Sequence, residues 1–269
     1  MKMKNGKLAN VYLVAVFVVL YAPIFYLMVY SFNSAGTMHG FESFTLEWYE
    51  EVFQDTRLLI IVLNTVVIAL LSSAISTILG VIGALAIQRV RKLRQRNSLL
   101  AMNNVLIVSP DVIIGASFLI FFTMLGIQLG FTSVLLSHIA FSVPIVVLMV
   151  LPKLQEMSPT LIDAAKDLGA SSWGVLTKVI LPFLRPGIFA GFFMALTYSL
   201  DDFAVTFFVT GNGYTTLSVE IYSRARQGIS PSINALSTLI FLFTITLVLG
   251  YYFLTRRTSR KPDWGVVQP

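Results

Sequence analysis

Cysteine is absent from this chain, and histidine occurs only twice, at His39 and His138. Disulfides, thiolate catalysis and cysteine zinc sites are thereby excluded. Two histidines in different segments do not build a metal site, so no metal is expected. His39 reads as a surface residue and His138 as a helix-packed one. Charge is scarce too: 12% of residues are charged, against about 25% in a soluble domain. No Gly-rich loop carries the lysine that a nucleotide phosphate needs. The nearest candidate, Gly169 to Gly174, is followed by Val175 and Leu176 where Lys and Ser/Thr should stand. The chain is therefore not expected to hydrolyse ATP. The serines lie in apolar runs without a nearby histidine, so no nucleophile–base pair stands out either, and no catalytic residue is assigned.

What is abundant is apolar length: 56% of the 269 residues are hydrophobic, with a mean hydropathy of +0.81. Runs of roughly 20 apolar residues can cross a bilayer as helices. Six such runs are read, at about 9–32, 59–87, 99–125, 131–151, 187–209 and 234–255. The fold expected is all-α, a polytopic membrane protein with six transmembrane helices. The first run has a basic start but is too long for a signal peptide and has no small-x-small cleavage site, so a retained helix is expected.

The net charge of +6 is distributed by side rather than by patch. Sixteen of 19 basic residues fall in alternate breaks: Lys2, Lys4 and Lys7; Arg89, Arg91, Lys92, Arg94 and Arg96; Lys153, Lys166, Lys178 and Arg185; and Arg256, Arg257, Arg260 and Lys261. The other breaks hold Arg57, Arg224 and Arg226. That asymmetry is the positive-inside pattern, which places both termini in the cytoplasm and argues against a nucleic-acid partner. Residues 1–58 then form the first span with an external amphipathic segment, 59–255 a membrane core, and 256–269 a cytoplasmic tail. In the external segment Tyr49, Val52 and Phe53 share a helical face, and Trp48 and Tyr49 suit the headgroup level.

Three stretches carry the functional signal. The first is the polar island 158–186 between two apolar runs. Ser158 can cap a helix that Pro159 begins, and Leu161, Ala164, Ala165 and Leu168 recur at helical spacing. Gly169 permits a reversal, Ser171 or Ser172 can cap a second short helix, and that helix should place Trp173, Leu176, Val179 and Ile180 on one face and stop at Pro182. The second is Ser109-Pro110-Asp111, where proline should kink the third span and turn Asp111 toward a cavity. The third is Tyr198-Ser199-Leu200-Asp201-Asp202-Phe203. Vicinal residues differ by about 100° around a helix, so one carboxylate can line a path while the other pairs or caps locally. Gly187-x-x-x-Gly191, at the start of the same span, would let two backbones approach.

Intramembrane acids cost several kcal/mol unless they face water, a partner or a cation. Asp111, Asp201 and Asp202, with Glu220 in the following outer segment and Tyr198, Phe203 and Tyr222 between them, suit an elongated organic cation. The competing reading makes these acids structural, holding helices together. Function stays open among an ATP-driven importer permease, an ion-driven secondary transporter of organic cations, and a membrane scaffold without transport.

Asp163-Ala164-Ala165, then Gly169, then Leu181-Pro182 resembles the EAA loop of ABC importer permeases, with Asp where that family mostly has Glu. Ser199-Leu200-Asp201-Asp202-Phe203, Phe208-Val209-Thr210-Gly211, Ile221-Tyr222 and Gly228-x-Ser230-Pro231-x-Ile233-Asn234-Ala235-Leu236 look like spermidine/putrescine importer permeases. The resemblance covers nearly the whole chain. It implies a type I ABC importer permease in the bacterial inner (plasma) membrane, forming half of a polyamine path. Its partners would be a second homologous permease, an ATPase dimer on the cytoplasmic side that holds the ATP and Mg, an external polyamine-binding protein, and the lipid bilayer. This chain itself would carry no cofactor. Asp163, Ala164, Ala165, Gly169 and Pro182 would couple to the ATPase. Asp201 and Asp202, with Asp111, Tyr198 and Glu220, would line the substrate path. A permease for another small solute is the alternative within the class.

Overall fold

A computed structural model describes residues 6–38, 40–228 and 231–258. Lys2, Lys4, His39, Ser230, Arg260 and Lys261 lie outside the described residues, as do the side chains of Lys7, Arg256 and Arg257. The chain divides into two compact units, Met1–Leu59 with Ser223–Pro269, and Ile60–Tyr222.

In the first unit, α1 (Gly6–Tyr30) and α12 (Pro231–Thr258) pack together, and α2 (Glu47–Gln54) lies against α12. The link between α1 and α2 is organised by one buried amide. Asn33 donates to the carbonyls of Thr37 and Gly40 and accepts from the backbone amides of Ala35 and Glu42. Its own carbonyl accepts from Trp48 Nε1 at 2.8 Å. Ser31 Oγ donates to Met28 O, so Tyr49 OH donates to Ser31 Oγ at 2.7 Å. The buried face of α2 therefore carries Val52 with the half-buried Trp48 and Tyr49, while Phe53 points to the exterior, against the face expected from spacing. Tertiary hydrogen bonds to Trp48 and Tyr49 rotate the helix away from Phe53.

The second unit contains most of α3 (Thr56–Arg89), α4 (Leu93–Val108), α5 (Asp111–Met124), α6 (Phe131–Gln155), α7 (Pro159–Asp167), α8 (Ser172–Val175), α9 (Leu181–Asp201), α10 (Ala204–Val209) and most of α11 (Leu217–Gln227). Its spine is the pair α6 and α9. A Cβ on Gly187 would lie 3.1 Å from Met149 O, and one on Gly191 3.1 Å from Val146 Cγ1, so both glycines are sites of close backbone approach. Lipid supplies no hydrophobic drive for helix association, and close packing takes its place. Val146, Val147 and Val150 are completely enclosed between α9 and the end of α3. A second cluster gathers Ile68, Ile114, Phe122, Val134, Phe141, Val205 and Val209.

Among the described residues four helices are long and apolar enough to cross a membrane, and a bent pair, α4 with α5, makes a fifth candidate. The sixth expected span falls on α12, whose described apolar part ends at Thr246. Two of the expected spans are also not continuous. The third turns by 101° between Val108 and Asp111, a break rather than a kink. Pro110 lacks the amide that a through-helix needs and holds Ser109 extended, at ψ 141°. The fifth is displaced: it begins upstream, runs through Pro182, and ends at Asp201.

Candidate functional site

The island folds as two short helices around a left-handed glycine. Gly169 sits at φ +82°, a conformation that side-chain-bearing residues rarely adopt, and it reverses the chain after α7. Ser171 Oγ accepts from Gly174 N at 3.1 Å and caps α8 as expected. Ser158 does not cap α7; its hydroxyl pairs with Thr160 Oγ1 at 2.7 Å. Pro182 does not stop the second helix. A π-helical turn, Leu176–Ile180, carries α8 into α9, and Leu181 N donates back five residues to Leu176 O. The wider turn accommodates the proline ring and its missing amide in the first turn of α9.

The island's apolar faces also differ from the spacing argument. Ile162, Ile180 and Leu181 pack onto the core below, and Val175 is buried. Leu161, Leu168 and Trp173 project outward, with Leu168 89% and Trp173 72% exposed. Asp163 and Ala164 are exposed beside them, and Ala165 is half-buried.

At the far end of α9 the two acids part company. Asp201 is exposed at the helix terminus. Asp202 leaves the helix with ψ 120°, and its carboxylate turns inward to start α10. Its oxygens accept from Thr206 N at 2.8 Å, Thr206 Oγ1 at 2.6 Å and Val205 N at 3.3 Å. Asp202 O accepts from Ser218 Oγ at 2.6 Å. A carboxylate at a helix N-terminus is favourable both as a cap and toward the helix dipole. The break in the fifth expected span is thus an aspartate-capped restart.

Against Asp202 lies a residue that sequence reasoning left as packing. His138 of α6 is fully buried, with Nε2 2.8 Å from Thr206 Oγ1 and 3.5 Å from Asp202 Oδ2, and Nδ1 2.6 Å from Ser199 Oγ. Ser199 in turn meets Ser72 of α3 at 3.0 Å. An ionisable residue within an apolar run is itself a functional flag, and that was the signal available. Its partners, at positions 199 and 206, and Ser72 behind Ser199, share no spacing that a sequence could show.

The remaining site residues fall into place around this knot. Tyr198 is half exposed and edge-on to Phe141 at 5.6 Å. Asp111 is exposed in the first turn of α5, where the helix dipole favours it. The rings of Phe203 and Tyr222 lie 4.3 Å apart, tilted by 39°, and Phe207 neighbours both. Glu220, in contrast, is 5% exposed within α11. The segment between α10 and α11 is pinned to α3: Leu217 N donates to Thr65 Oγ1 at 2.8 Å and Tyr214 OH to Asn64 O at 3.4 Å. Burial pushes the Tyr214 phenol up to about 12, so it stays a neutral donor. Among the described residues no group of His, Asp or Glu is arranged to hold a metal.

Comparison with known proteins decides the class. Residues 76–261 match the family described as the binding-protein-dependent transport system inner membrane component. The chain belongs to that family. The permease is thus a multi-pass inner-membrane component and not itself an ATPase. It is 37% identical over 249 residues to the spermidine/putrescine transport system permease protein PotC of Escherichia coli K12, covering 93% of this chain and 94% of that one. The Haemophilus influenzae PotC is 34% identical over 94% of this chain and 98% of its own. The putrescine transport system permease protein PotI of Escherichia coli K12 is 33% identical, over 91% and 90% respectively. Among solved structures, a bacterial ABC transporter that imports the acidic polysaccharide alginate superposes with a TM-score of 0.72 at 17% identity, covering 96% of this permease and 97% of that chain. The MetNI methionine ABC transporter follows at 0.59 and 19%, covering 76% and 96%. At such identities the likeness establishes the all-helical importer-permease fold.

Proposed function

We propose that this chain is one permease half of an ATP-driven importer of polyamines, spermidine or putrescine. The observation that carries the reading is the identity of more than a third with polyamine permeases along 93% of the chain. The exposed Asp201, the exposed Asp111, Tyr198 and the Phe203–Phe207–Tyr222 cluster support it. Carboxylates would balance the ammonium groups of an extended cation, and aromatic faces would contact its methylenes and ammoniums. Asp202 and Glu220, both buried, serve the path by positioning rather than by contact. An acidic polysaccharide, which the structural neighbour imports, would be repelled by the same carboxylates.

In this reading the chain spans the membrane six times, with the core at 59–255, the tail at 256–269 and both termini in the cytoplasm. It pairs with a second, related permease. The loop 158–186 meets a cytoplasmic ATPase dimer, and an external binding protein delivers the polyamine. Leu161, Leu168 and Trp173, exposed beside Asp163, Ala164 and Gly169, give that loop an apolar surface for the ATPase, and Pro182 continues it into α9. Nucleotide-driven closure of the ATPases would displace the loop, and the continuous helix from Ser172 to Asp201 would carry the movement to the outer break.

The test is uptake in a reconstituted complex. Asp201→Asn is expected to lower spermidine flux about tenfold at unchanged protein level, the loss of one charge-assisted contact. Gly169→Pro is expected to leave the chain in the membrane while abolishing substrate-coupled ATP hydrolysis. Uptake that persists without the ATPase and collapses with the ion gradient would establish the secondary-transporter reading instead.

A further inference from the structure

We infer that His138 is a positioning residue whose imidazole, protonated at Nε2, staples the two sides of the break between α9 and α10 and so fixes where Asp201 is presented. A carboxylate only accepts, so the 2.6 Å contact between Thr206 Oγ1 and Asp202 Oδ2 consumes the single proton of the threonine hydroxyl. The same oxygen lies 2.8 Å from His138 Nε2 and has only lone pairs left to offer. Nε2 must therefore carry the hydrogen. The chain of donation His138 to Thr206 to Asp202 has one possible sense.

The other ring nitrogen has more freedom. With a neutral ring, Nδ1 accepts from Ser199 Oγ, and Ser72 Oγ donates to Ser199. A second proton on Nδ1 would reverse both hydroxyls, with Ser72 donating to Ala69 O at 3.3 Å. In either case Nε2 stays protonated.

The geometry gives this chain its role. Ser199 precedes the break and Thr206 follows it, and a single rigid ring from α6 holds both. His138, Ser72 and Thr206 are fully buried and Ser199 is 3% exposed, so water cannot substitute for a missing partner. Between the two stapled positions Asp201 stands exposed. Loosening the ring would free α10 to swing relative to α9 and blur the position of that carboxylate.

Two measurements test the inference. The first is the ¹⁵N spectrum of imidazole-labelled full-length chain in lipid nanodiscs, with His138→Gln identifying which signal belongs to this ring. A protonated Nε2 is expected, and a ring protonated only at Nδ1 would overturn the proposal. The second rests on the polyamine reading: spermidine uptake by the assembled importer. His138→Asn, which reaches Ser199 but not Thr206, is expected to lower uptake about tenfold, whereas His138→Gln, which keeps a donor near the Nε2 position, retains it within about threefold. Equal uptake by both variants and the parent would overturn the positioning role. A parent complex that carries no polyamine would refute the substrate reading and leave the nitrogen spectrum to judge the staple.

Discussion

Two of the expected spans of this permease are interrupted, and by opposite means. Between α4 and α5 the cause is covalent and local: Pro110 has no amide to give, Ser109 is held extended, and the chain turns by 101°. Between α9 and α10 no proline or glycine intervenes. Asp202 instead draws the chain out of helix by capping the next one, and His138 and Ser218, from other elements, secure it. The first break is built by removing a hydrogen bond. The second is built by adding several, and it can therefore be dismantled by a single buried substitution.

That difference is open to direct attack. The largest effect is expected from Asp202→Ala, which strips the cap from Val205 and Thr206 and leaves the Thr206 hydroxyl buried without its carboxylate acceptor. A loss of about 3–5 kcal/mol is expected, read by thermal unfolding in nanodiscs. A loss below about 1 kcal/mol would mean that α10 restarts without its aspartate. Thr206→Val keeps the shape but removes the link between ring and carboxylate, and about 1–3 kcal/mol should follow. Pro110→Ala should cost less than about 1 kcal/mol while opening the 101° turn, seen as a longer distance between spin labels at Val105 and Ile113. An unchanged distance would show that packing, not proline, holds this break too.

The smallest effect sharpens the contrast, because a second aspartate does the same capping work in the open. Asp55 Oδ1 accepts from Leu58 N at 3.0 Å at the start of α3, and Oδ2 accepts from Arg224 at 3.2 Å. The Leu58 amide and the Arg224 guanidinium hold its carboxyl below the ordinary aspartate value. A depressed folded-state pKa stabilises above the unfolded value, about 3.9, and that contribution is lost as pH falls through it. Unfolding temperature should therefore drop between about pH 5 and pH 3 by slightly less in Asp55→Asn than in the parent. Solvent screens this pair, so the difference should be small.

Much of this was legible from composition and pattern. Long apolar runs, the scarcity of charge and the side-alternating basic clusters placed the chain in a membrane. Pro110 announced a disruption in its span, and Gly169 announced a reversal whose positive φ is observed. One of the vicinal acids was expected to pair or cap locally, and Asp202 caps α10. Less legible was the fate of Pro182, because a π-helical turn makes room for a proline that an α-helical turn would reject. The faces of short helices were misread for Leu168, Trp173 and Phe53, since helices of four to nine residues define an apolar face too weakly to resist tertiary contacts.

The amino-acid sequence alone determined which stretches are apolar, where the backbone lacks an amide and where it needs glycine, because these are properties of single residues and their near neighbours. Only the tertiary structure decided that His138 closes on Ser199 and Thr206, that Asp202 turns inward while Asp201 stays out, and that α6 and α9 touch through glycine. Those outcomes depend on atoms far apart in the chain meeting within hydrogen-bond or van der Waals distance, and no local pattern encodes such meetings.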